Sequence, residues 1–483
     1  MEWSKLLSEK RQVEKEKEPN DFSKYPISEF EKDYQTIISS AAFRRLQDKT
    51  QVFPLDKSDF IRTRLTHSIE VSTIARQLGI MLTQNETQYL KQEFRRNPKL
   101  VHDIPVVLSC AGLLHDIGNP PFGHFGEVVI GDWFKDELKR ENFLFKGRKI
   151  ADILSEQMKC DLMNFEGNAQ ALRILSKITN NADGHDINLS YGVLNTLIKY
   201  PTDSCTFFKK ASDIKKHKMG YFFAEKEMLK TIASETGTCE GGEFVRHPLV
   251  FLLEAADDIA YATADLEDGL KKGIFTLDQF VEYFTREVNS IKDKNHRKYS
   301  LDLLNNLRNR LTKCSRNREN DLISFQNWVE LVRKWLMYVV IYRFSTSYEE
   351  IMSGQYTQSI FENTNQQETI KILKRVAVEL VFSNNEILKL ELAAKKIIES
   401  LLNDFVYAVL YFDEKDKEYK LSKADEKLIS LISENYKNDY RKAKTGDEAK
   451  DLYLRFLMVT DFISGMTDSY AKNLYNELNG VTP

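Results

Sequence analysis

The sequence predicts an all-α, mainly helical fold, and three observations support this class. The chain of 483 residues contains only 10 prolines and 20 glycines, the residue types that most often interrupt helices. Leucine, glutamate and lysine, which favour helix, are abundant. Apolar residues recur at helical spacing in long segments, and neither an internal repeat nor a heptad run is visible.

Composition and charge exclude several classes of protein. The net charge of -3 argues against a protein that coats nucleic acid through bulk positive charge. The five cysteines are scattered without a C-x-x-C pair, which argues against a zinc ribbon or a disulfide framework and fits a reducing compartment. The charged segment Met1–Pro19 does not resemble a signal peptide, and the longest apolar run, Leu336–Tyr342, is too short to cross a bilayer. We therefore expect a cytoplasmic protein without membrane contact.

The first part of the chain predicts an arm followed by a helix and a loop. Residues 1–35 are polar and of mixed charge, which predicts an N-terminal arm. A helical pattern then runs from Asp33 to near Gln47. The segment Thr50–Pro54 is β-prone and ends in proline, which predicts an extended loop. We expect a catalytic core over residues 36–275 and a helical C-terminal region over residues 276–483, without a clean linker.

The next helix carries the first candidate ligand. It opens within Arg62–His67, where Thr63 or Thr66 provides a cap. The apolar residues that follow His67 on the same face predict that this histidine points towards a core: Val71, Ile74 and Leu78. A histidine in such a place is either a hydrogen-bonded core residue or a ligand.

The stretch Ala111–Glu127 is the one around which the chain is organised. We expect Pro105 to start a helix that ends at the adjacent ligand-type residues His115 and Asp116. Adjacent residues do not share a helix face, so these two converge on one ion only at a helix end, which the following glycines and prolines supply. His124 and Glu127 then form a plausible proton-transfer pair. The alternative is a capping histidine and a first-turn glutamate.

A long helix is predicted from Pro248 to Leu270. Asp257, Tyr261 and Asp265 are spaced four residues apart and form a stripe along one face. The small and apolar neighbours bury at least one carboxylate, which then needs a metal or an arginine. Further segments predict a helix, a turn-rich break, four C-terminal helices and a charged surface stretch: 165–175, 181–188, 335–344, 369–382, 386–412, 449–478 and 413–427.

These residues suggest a metal-dependent reaction on a phosphate. His67, His115, Asp116 and Asp257 provide two imidazoles and two carboxylates, a set that suits Mn²⁺, Fe²⁺, Zn²⁺ or Mg²⁺ rather than Ca²⁺. No P-loop or dinucleotide-binding glycine motif occurs. Five cations are candidates for binding phosphate: Arg44, Arg45, Arg62, Arg64 and Lys218.

The ordered motifs resemble those of the HD-domain dNTP triphosphohydrolases, and more narrowly the bacterial dGTP triphosphohydrolase branch. The H…HD…D order lies in extended local contexts that run over nearly the whole chain. The matching segments are 44–54, 62–68, 111–127, 165–170, 254–261, 265–268 and 463–471.

The resemblance implies hydrolysis of dGTP, with other dNTPs as further candidate substrates, to deoxynucleoside and intact triphosphate, in control of the dNTP pool. It assigns the metal to His67, His115, Asp116 and Asp257, with Mg²⁺ or Mn²⁺ expected and Fe²⁺, Zn²⁺ or Ni²⁺ as alternatives. The other implied roles are catalysis (His124, Glu127), phosphate binding (Arg64, Lys218), sugar recognition (Gln51, Tyr261, Asp265) and base recognition (Glu391).

The match departs from the family at two positions. Lys427 stands where the dGTP-preferring branch has arginine, and Asn164 stands where some relatives have histidine. The resemblance also implies a homo-oligomer, often a hexamer, with an allosteric dNTP or single-stranded DNA as further partners. Two other functions remain open: an HD-type phosphodiesterase or (p)ppGpp-like hydrolase, and a nucleotide- or DNA-binding regulator on an HD scaffold.

Overall fold

The computed structural model describes residues 1–13, 27–53, 55, 58–84, 88–178, 187–313, 315–383, 385–414 and 420–481. These residues fold mainly into α-helices, which confirms the predicted class. The first twelve helices are α1 (Trp3–Leu6), α2 (Glu29–Ser39), α3 (Ala41–Arg44), α4 (Arg64–Gln84), α5 (Gln88–Arg96), α6 (Lys99–Leu114), α7 (Gly123–Glu137), α8 (Ile150–Ile153), α9 (Glu156–Met163), α10 (Gly167–Arg173), α11 (Tyr191–Leu197) and α12 (Lys226–Thr236).

The later helices complete the described chain. They are α13 (Pro248–Lys272), α14 (Leu277–Ser290), α15 (Lys294–Leu311), α16 (Arg318–Thr346), α17 (Tyr348–Met352), α18 (Gln367–Ala377), α19 (Asn385–Ala408), α20 (Lys423–Leu431), α21 (Glu434–Ala443), α22 (Glu448–Ser464) and α23 (Asp468–Leu478). The described strands form two short antiparallel pairs: β1 (Leu144–Phe145) with β2 (Arg148–Lys149), and β3 (Cys239–Glu240) with β4 (Glu243–Phe244). Short 3₁₀ and π segments lie at Arg45–Asp48, Ile174–Ile178, Ile214–Lys216, Phe223–Glu225 and Val378–Phe382.

Two hydrophobic clusters hold these helices together. The first is built around α4, α6, α13, α16 and α18, and it draws residues from Trp3 to Ile387. The second is built around α7, α9, α19 and α22. Because the first cluster includes side chains from both sides of residue 275, the expected boundary there does not separate the two cores. No described helix has the length and apolar character that a membrane span needs.

Helices α4 and α6 approach each other closely because two glycines lie between them. A Cβ atom on Gly79 would lie 2.8 Å from the Cα of Pro105, and one on Gly112 would lie 2.5 Å from the Cα of Ser72. The Ser72 hydroxyl adds a 2.9 Å hydrogen bond to the carbonyl of Ser109. This close packing brings the histidine near the start of α4 next to the C-terminal end of α6.

The prediction that Pro105 starts a helix is wrong. Helix α6 begins at Lys99, and Pro105 lies inside it on the side that packs against Gly79. Proline removes one backbone N–H from the helix ladder, and a start site is its most common place. Here burial of the surrounding apolar residues outweighs that local preference.

The segment predicted as an N-terminal arm, residues 1–35, packs against the first hydrophobic cluster through its described residues. In α1, Trp3 and Leu6 are 1% and 0% exposed and belong to the first hydrophobic cluster. Arg11 forms an ion pair with the buried carboxylate of Asp33, which fixes the strand-like segment that follows α1 to α2. The apolar spacing of Trp3, Leu6 and Leu7 was the signal of this packing; residues 14–26 lie outside the described part.

Most predicted helices agree with the structure. The face that starts at His67 is buried, and α13 begins at Pro248 as expected. The helix predicted from Asp33 instead starts at Glu29 and breaks at Ser40. The helices predicted over 335–344 and 369–382 lie within α16 and within α18 with its π extension. The helix predicted over 386–412 corresponds to α19, which ends earlier, at Ala408, and the one predicted over 449–478 is divided into α22 and α23. Pro54 and most of the turn-rich break (181–186) lie outside the described residues, as do 415–419 of the charged stretch.

Candidate active site

Three of the predicted ligands form a compact group at the meeting point of α4, α6 and α13. His67 lies in the first turn of α4, His115 directly follows α6, and Asp257 lies in the middle of α13. One potential ligand atom of each lies within 4.8 Å of the others. Nε2 of His67 and Nε2 of His115 each lie 3.5 Å from Oδ1 of Asp257, which is close to the separation of two ligand atoms that share a cation at about 2.1 Å. His115 and Asp116 directly follow the end of α6, the place at which two adjacent residues can converge on one ion.

The environment of His115 leaves one ring nitrogen free for a cation. Its Nδ1 lies 2.8 Å from the carbonyl of Gly112, which only accepts hydrogen bonds, so Nδ1 carries the proton. Its Nε2 is buried, has no hydrogen-bond partner among the described residues, and lies 3.5 Å from carboxylate oxygens of Asp116 and Asp257. A backbone carbonyl behind a ligating histidine is common in metal sites. The donor set therefore fits a divalent cation.

Asp116 lies at the edge of this group and connects it to an arginine. Its Oδ2 lies 2.5 Å from Nη1 of Arg64, and its Oδ1 accepts a 2.7 Å bond from the Asn119 amide. Burial alone would raise the pKa of Asp116, but His115 and Arg64 hold it well below its usual range. Asp116 is therefore an anion that can serve a cation and orient Arg64.

Lys199 supplies positive charge to the second carboxylate of the group, that of Asp257. Its Nζ lies 2.7 Å from Oδ2 of Asp257. Burial opposes ionisation of Asp257, but Lys199 and His115 hold the pKa of this carboxyl well below its usual range. Asp257 therefore stays ionised although it is enclosed.

His124 and Glu127 form a hydrogen-bonded pair at the rim of the site. The distance from Nδ1 of His124 to Oε2 of Glu127 is 2.6 Å, and Oε1 of Glu127 accepts a 2.8 Å bond from the amide of Gly167. The hydrogen bond that His124 donates to Glu127 raises the pKa of His124. A Cβ on residue 167 would lie 2.6 Å from Oε1 of Glu127, so this position requires glycine. The pair is set up to hold a proton on the exposed imidazole.

One cavity of about 660 Å³ joins these groups. Its wall contains all four predicted metal ligands, together with His124 and Glu127. The remaining predicted site residues in the wall are Gln51, Arg64, Lys218, Tyr261 and Glu391.

Comparison with known proteins identifies the family. A family model described as the HD domain matches residues 64–196, and one described as a phosphohydrolase-associated domain matches residues 361–477. The chain is 43% identical to a deoxyguanosinetriphosphate triphosphohydrolase-like protein of Listeria monocytogenes, with all of both chains covered. The chain belongs to the HD-domain dNTP triphosphohydrolase family.

Two more distant relatives agree with this assignment. A deoxyguanosinetriphosphate triphosphohydrolase-like protein of Synechocystis is 33% identical over all of both chains. A deoxyguanosinetriphosphate triphosphohydrolase of Serratia proteamaculans is 29% identical over 94% of each chain. The chain is accordingly a hydrolase of the metal-dependent HD phosphohydrolase class.

The phosphate candidates of this HD protein divide into two groups. Lys218 lies in the cavity wall, where Glu166 binds its Nζ at 2.9 Å, and Arg64 lies beside Asp116. Arg62 is instead held by three carboxylates outside the wall: those of Glu70, Glu267 and Asp268. Arg44 and Arg45 are exposed and do not contribute to the wall. Of the five candidates, only Arg64 and Lys218 can meet a phosphate in this cavity.

The stripe on α13 ends in a buried carboxylate that lacks a hydrogen-bond donor. Both oxygens of Asp265 are enclosed and have no partner among the described residues, and the same holds for Oε1 of Gln51. Burial raises the pKa of Asp265 to about 7. Tyr261 lies one turn nearer the metal group in the cavity wall. Such acceptors favour a ligand that brings its own hydroxyl group.

The wall also contains residues that no sequence motif indicated. Phe382 stacks on Tyr261 with 6.1 Å between ring centroids and 12° between planes. Lys199 and Tyr200 line the same cavity. Lys199 and Tyr200 follow α11 without a recognisable pattern, so only the packing of α11 against α13 reveals them.

The two positions at which the sequence departs from the family lie outside the cavity wall. The Asn164 amide donates to the carbonyls of Cys160 and Ser204, at 3.0 and 3.4 Å. It therefore ties the end of α9 to the loop that follows α11. Lys427 is an exposed residue of α20.

Proposed function

We propose that this HD-family phosphohydrolase cleaves dNTPs to deoxynucleoside and inorganic triphosphate and thereby controls the dNTP pool. One observation carries the proposal. A single cavity joins the His/Asp group, the His124–Glu127 pair, and the unpartnered acceptor on Gln51. A reacting phosphate, a proton donor and a sugar hydroxyl would all have partners in it.

The residues of this chain divide the work of the reaction. His67, His115, Asp116 and Asp257 would hold Mg²⁺ or Mn²⁺, with Fe²⁺, Zn²⁺ or Ni²⁺ as alternatives. A bound cation would supply Lewis-acid chemistry at the phosphate. Arg64, Lys218 and Lys199 bring fixed positive charge to the triphosphate and orient it.

The proton pair then acts on the leaving group. Water adds to the α-phosphorus, the bond from that phosphorus to the 5′-oxygen breaks, and His124 Nε2 gives its proton to that oxygen. Because Glu127 occupies Nδ1 of His124, the ring is oriented and its cationic form is stabilised. Triphosphate and deoxynucleoside leave as intact products.

Sugar and base would be selected at the other end of the cavity. Gln51 and Asp265 would hydrogen-bond the 3′-hydroxyl, and Tyr261 would fill the space that a 2′-hydroxyl needs. Phe382 offers a ring face to the base and Glu391 accepts from it, which favours guanine among the bases. The resemblance adds three proposals about assembly and control: a homo-oligomer such as a hexamer, activation by a second dNTP, and binding of single-stranded DNA.

Product analysis tests the reaction and the specificity together. Purified protein is incubated with each dNTP and with GTP, with Mg²⁺ or Mn²⁺, and the products are separated by ion-exchange chromatography. We expect deoxynucleoside and tripolyphosphate, faster turnover of dGTP than of GTP, and no turnover by His124→Ala. Release of dNMP and pyrophosphate, equal use of GTP, or no turnover would reject the proposal. Equal use of GTP would favour an HD phosphodiesterase or (p)ppGpp-like hydrolase, and no turnover would favour a regulator.

A further inference from the structure

The C-terminal motif Ile463–Ala471 lies against the active site, although none of its residues lines the cavity. It spans the end of α22 and the start of α23, where the carboxylate of Asp468 is 2% exposed. Two segments that are distant in sequence meet at this carboxylate: the segment that leads to Gln51 and the loop that leads to His124.

Asp468 binds each segment with a different oxygen. Its Oδ1 accepts a 2.9 Å hydrogen bond from the amide of Phe122. Its Oδ2 accepts a 3.0 Å bond from the amide of Thr50 and a second bond from the Thr50 hydroxyl. One carboxylate therefore fixes the distance between the residue before Gln51 and the residue two before His124.

The loop held in this way has an unusual backbone. Phe122 has a φ of +61°, a conformation that a bulky residue seldom adopts, and Gly123 follows with +63°. Helix α7 begins directly after this turn and carries His124 and Glu127. The Phe122 amide lies at the turn that sets the direction of α7, so its hydrogen bond bears directly on where the imidazole points.

Lys49 adds a second tie between the same three segments. Its Nζ donates to the carbonyl of Asn119 at 2.6 Å and to that of Ser464 at 2.7 Å. This lysine is 3% exposed and adjoins Thr50 in the chain. The two ties share no atom, and only the bonds of Asp468 reach the backbone of Thr50 and Phe122.

We propose that Asp468 is a positioning residue that couples sugar selection to proton transfer by holding Thr50–Gln51 and the Phe122 turn on one carboxylate. This inference rests on the proposed function, because it uses the roles assigned there to Gln51 and His124. Asp468 itself touches neither substrate nor metal ligand. Its loss would displace two parts of the site at once, and a displacement of about 1 Å can cost about 100-fold in rate.

The variant Asp468→Asn tests the proposal, and Asp451→Asn is its matched control. Asp451, on α22, is 6% exposed and accepts the same kinds of bond: from the amides of Thr445 and Gly446 and from the Thr445 hydroxyl. It does not line the cavity. Hydrogen exchange is followed by mass spectrometry, and kcat and KM are measured for dGTP and GTP.

We expect Asp468→Asn to speed exchange in the peptides over 48–53 and 119–127 and to lower kcat for dGTP about 10- to 100-fold. The ratio of kcat/KM for dGTP to that for GTP should also fall, because the sugar contact moves. A lower folded fraction alone would reduce both rates equally and leave this ratio and KM unchanged. Asp451→Asn should retain the wild-type ratio and exchange in both peptides.

Should Asp468→Asn fail to fold, Thr50→Val removes only the hydroxyl bond and should change the ratio in the same direction. If the wild type is active and Asp468→Asn has the same dGTP-to-GTP ratio and the same hydrogen exchange, only the positioning role is overturned. A wild type that uses no dNTP would overturn the proposed function and, with it, the coupling. The two failures are therefore distinguishable.

Discussion

At the scale of single residues, the site depends on which atoms have partners and which do not. His124 has its Nδ1 satisfied by Glu127, whereas Asp265 is buried with neither oxygen satisfied. The first arrangement stabilises a charge and the second makes a charge costly. Each leads to a prediction about pH or stability.

The His124–Glu127 hydrogen bond predicts the direction of the pH dependence. It raises the pKa of His124 above its usual value of 6.5, so the protonated form that serves as acid persists to higher pH than in an isolated histidine. We expect kcat to fall as the pH rises through this raised pKa. Glu127→Gln should move the falling limb to lower pH and reduce the rate at pH 8 by about 10- to 100-fold.

The raised pKa of His124 also makes the free energy of unfolding depend on pH. A histidine with a raised pKa stabilises the fold below pH 6.5, and that contribution is lost as the pH rises through the folded-state pKa. Urea titrations of wild type and Glu127→Gln between pH 5 and 9 check this. If kcat falls at the same pH in Glu127→Gln as in the wild type, the role of Glu127 is contradicted.

The burial of Asp265 predicts that replacing it raises stability and weakens substrate discrimination. Burial raises its pKa to about 7, so ionising it costs stability increasingly as the pH rises from about 4 to 7. Asp265→Asn removes this cost, and we expect metal-free protein to gain about 1–3 kcal/mol at pH 8 by urea titration. The variant should also lose preference for dGTP over its 3′-deoxy analogue. A variant that is less stable at pH 8 and keeps this preference would contradict our account.

At the scale of elements, the packing of α4 against α6 decides whether the two histidines meet. The sequence predicted the helices and the direction of His67, because apolar periodicity is local information. It did not predict that Pro105 lies within α6 or that Gly79 and Gly112 face the partner helix. Those features depend on which helices pack together, and the local pattern of a single sequence does not show which helices do.

Gly112→Ala tests the helix contact. The added Cβ would lie 2.5 Å from backbone of α4, so the helices must separate and His67 must move away from His115. We expect a loss of about 1–3 kcal/mol in the free energy of unfolding and at least 10-fold weaker Mn²⁺ binding by calorimetry. Ser109→Ala, which adds no atom between the helices, should retain Mn²⁺ affinity. Equal affinity in wild type and Gly112→Ala would contradict the proposed ligand set.

At the scale of the whole molecule, the site is assembled from segments that span most of the chain. Thr50, Phe122 and Asp468 meet at one carboxylate, and Glu391 and Asp257 line the same cavity. The family motifs indicated most of these residues but not their contacts. Lys199 and Phe382 had no motif, and the packing of Trp3 went unrecognised because it depends on a distant partner. Local pattern predicts elements well, whereas long-range assembly requires the fold.

The central claim is that water attacks the α-phosphorus while His124 protonates the departing 5′-oxygen. Turnover of dGTP in ¹⁸O-labelled water, followed by mass spectrometry of both products, tests it most directly. We predict one ¹⁸O atom in the released triphosphate, none in the deoxyguanosine, and no products when a chelator removes the metal. Label in the deoxyguanosine 5′-hydroxyl, or release of dGMP with pyrophosphate, would contradict the claim.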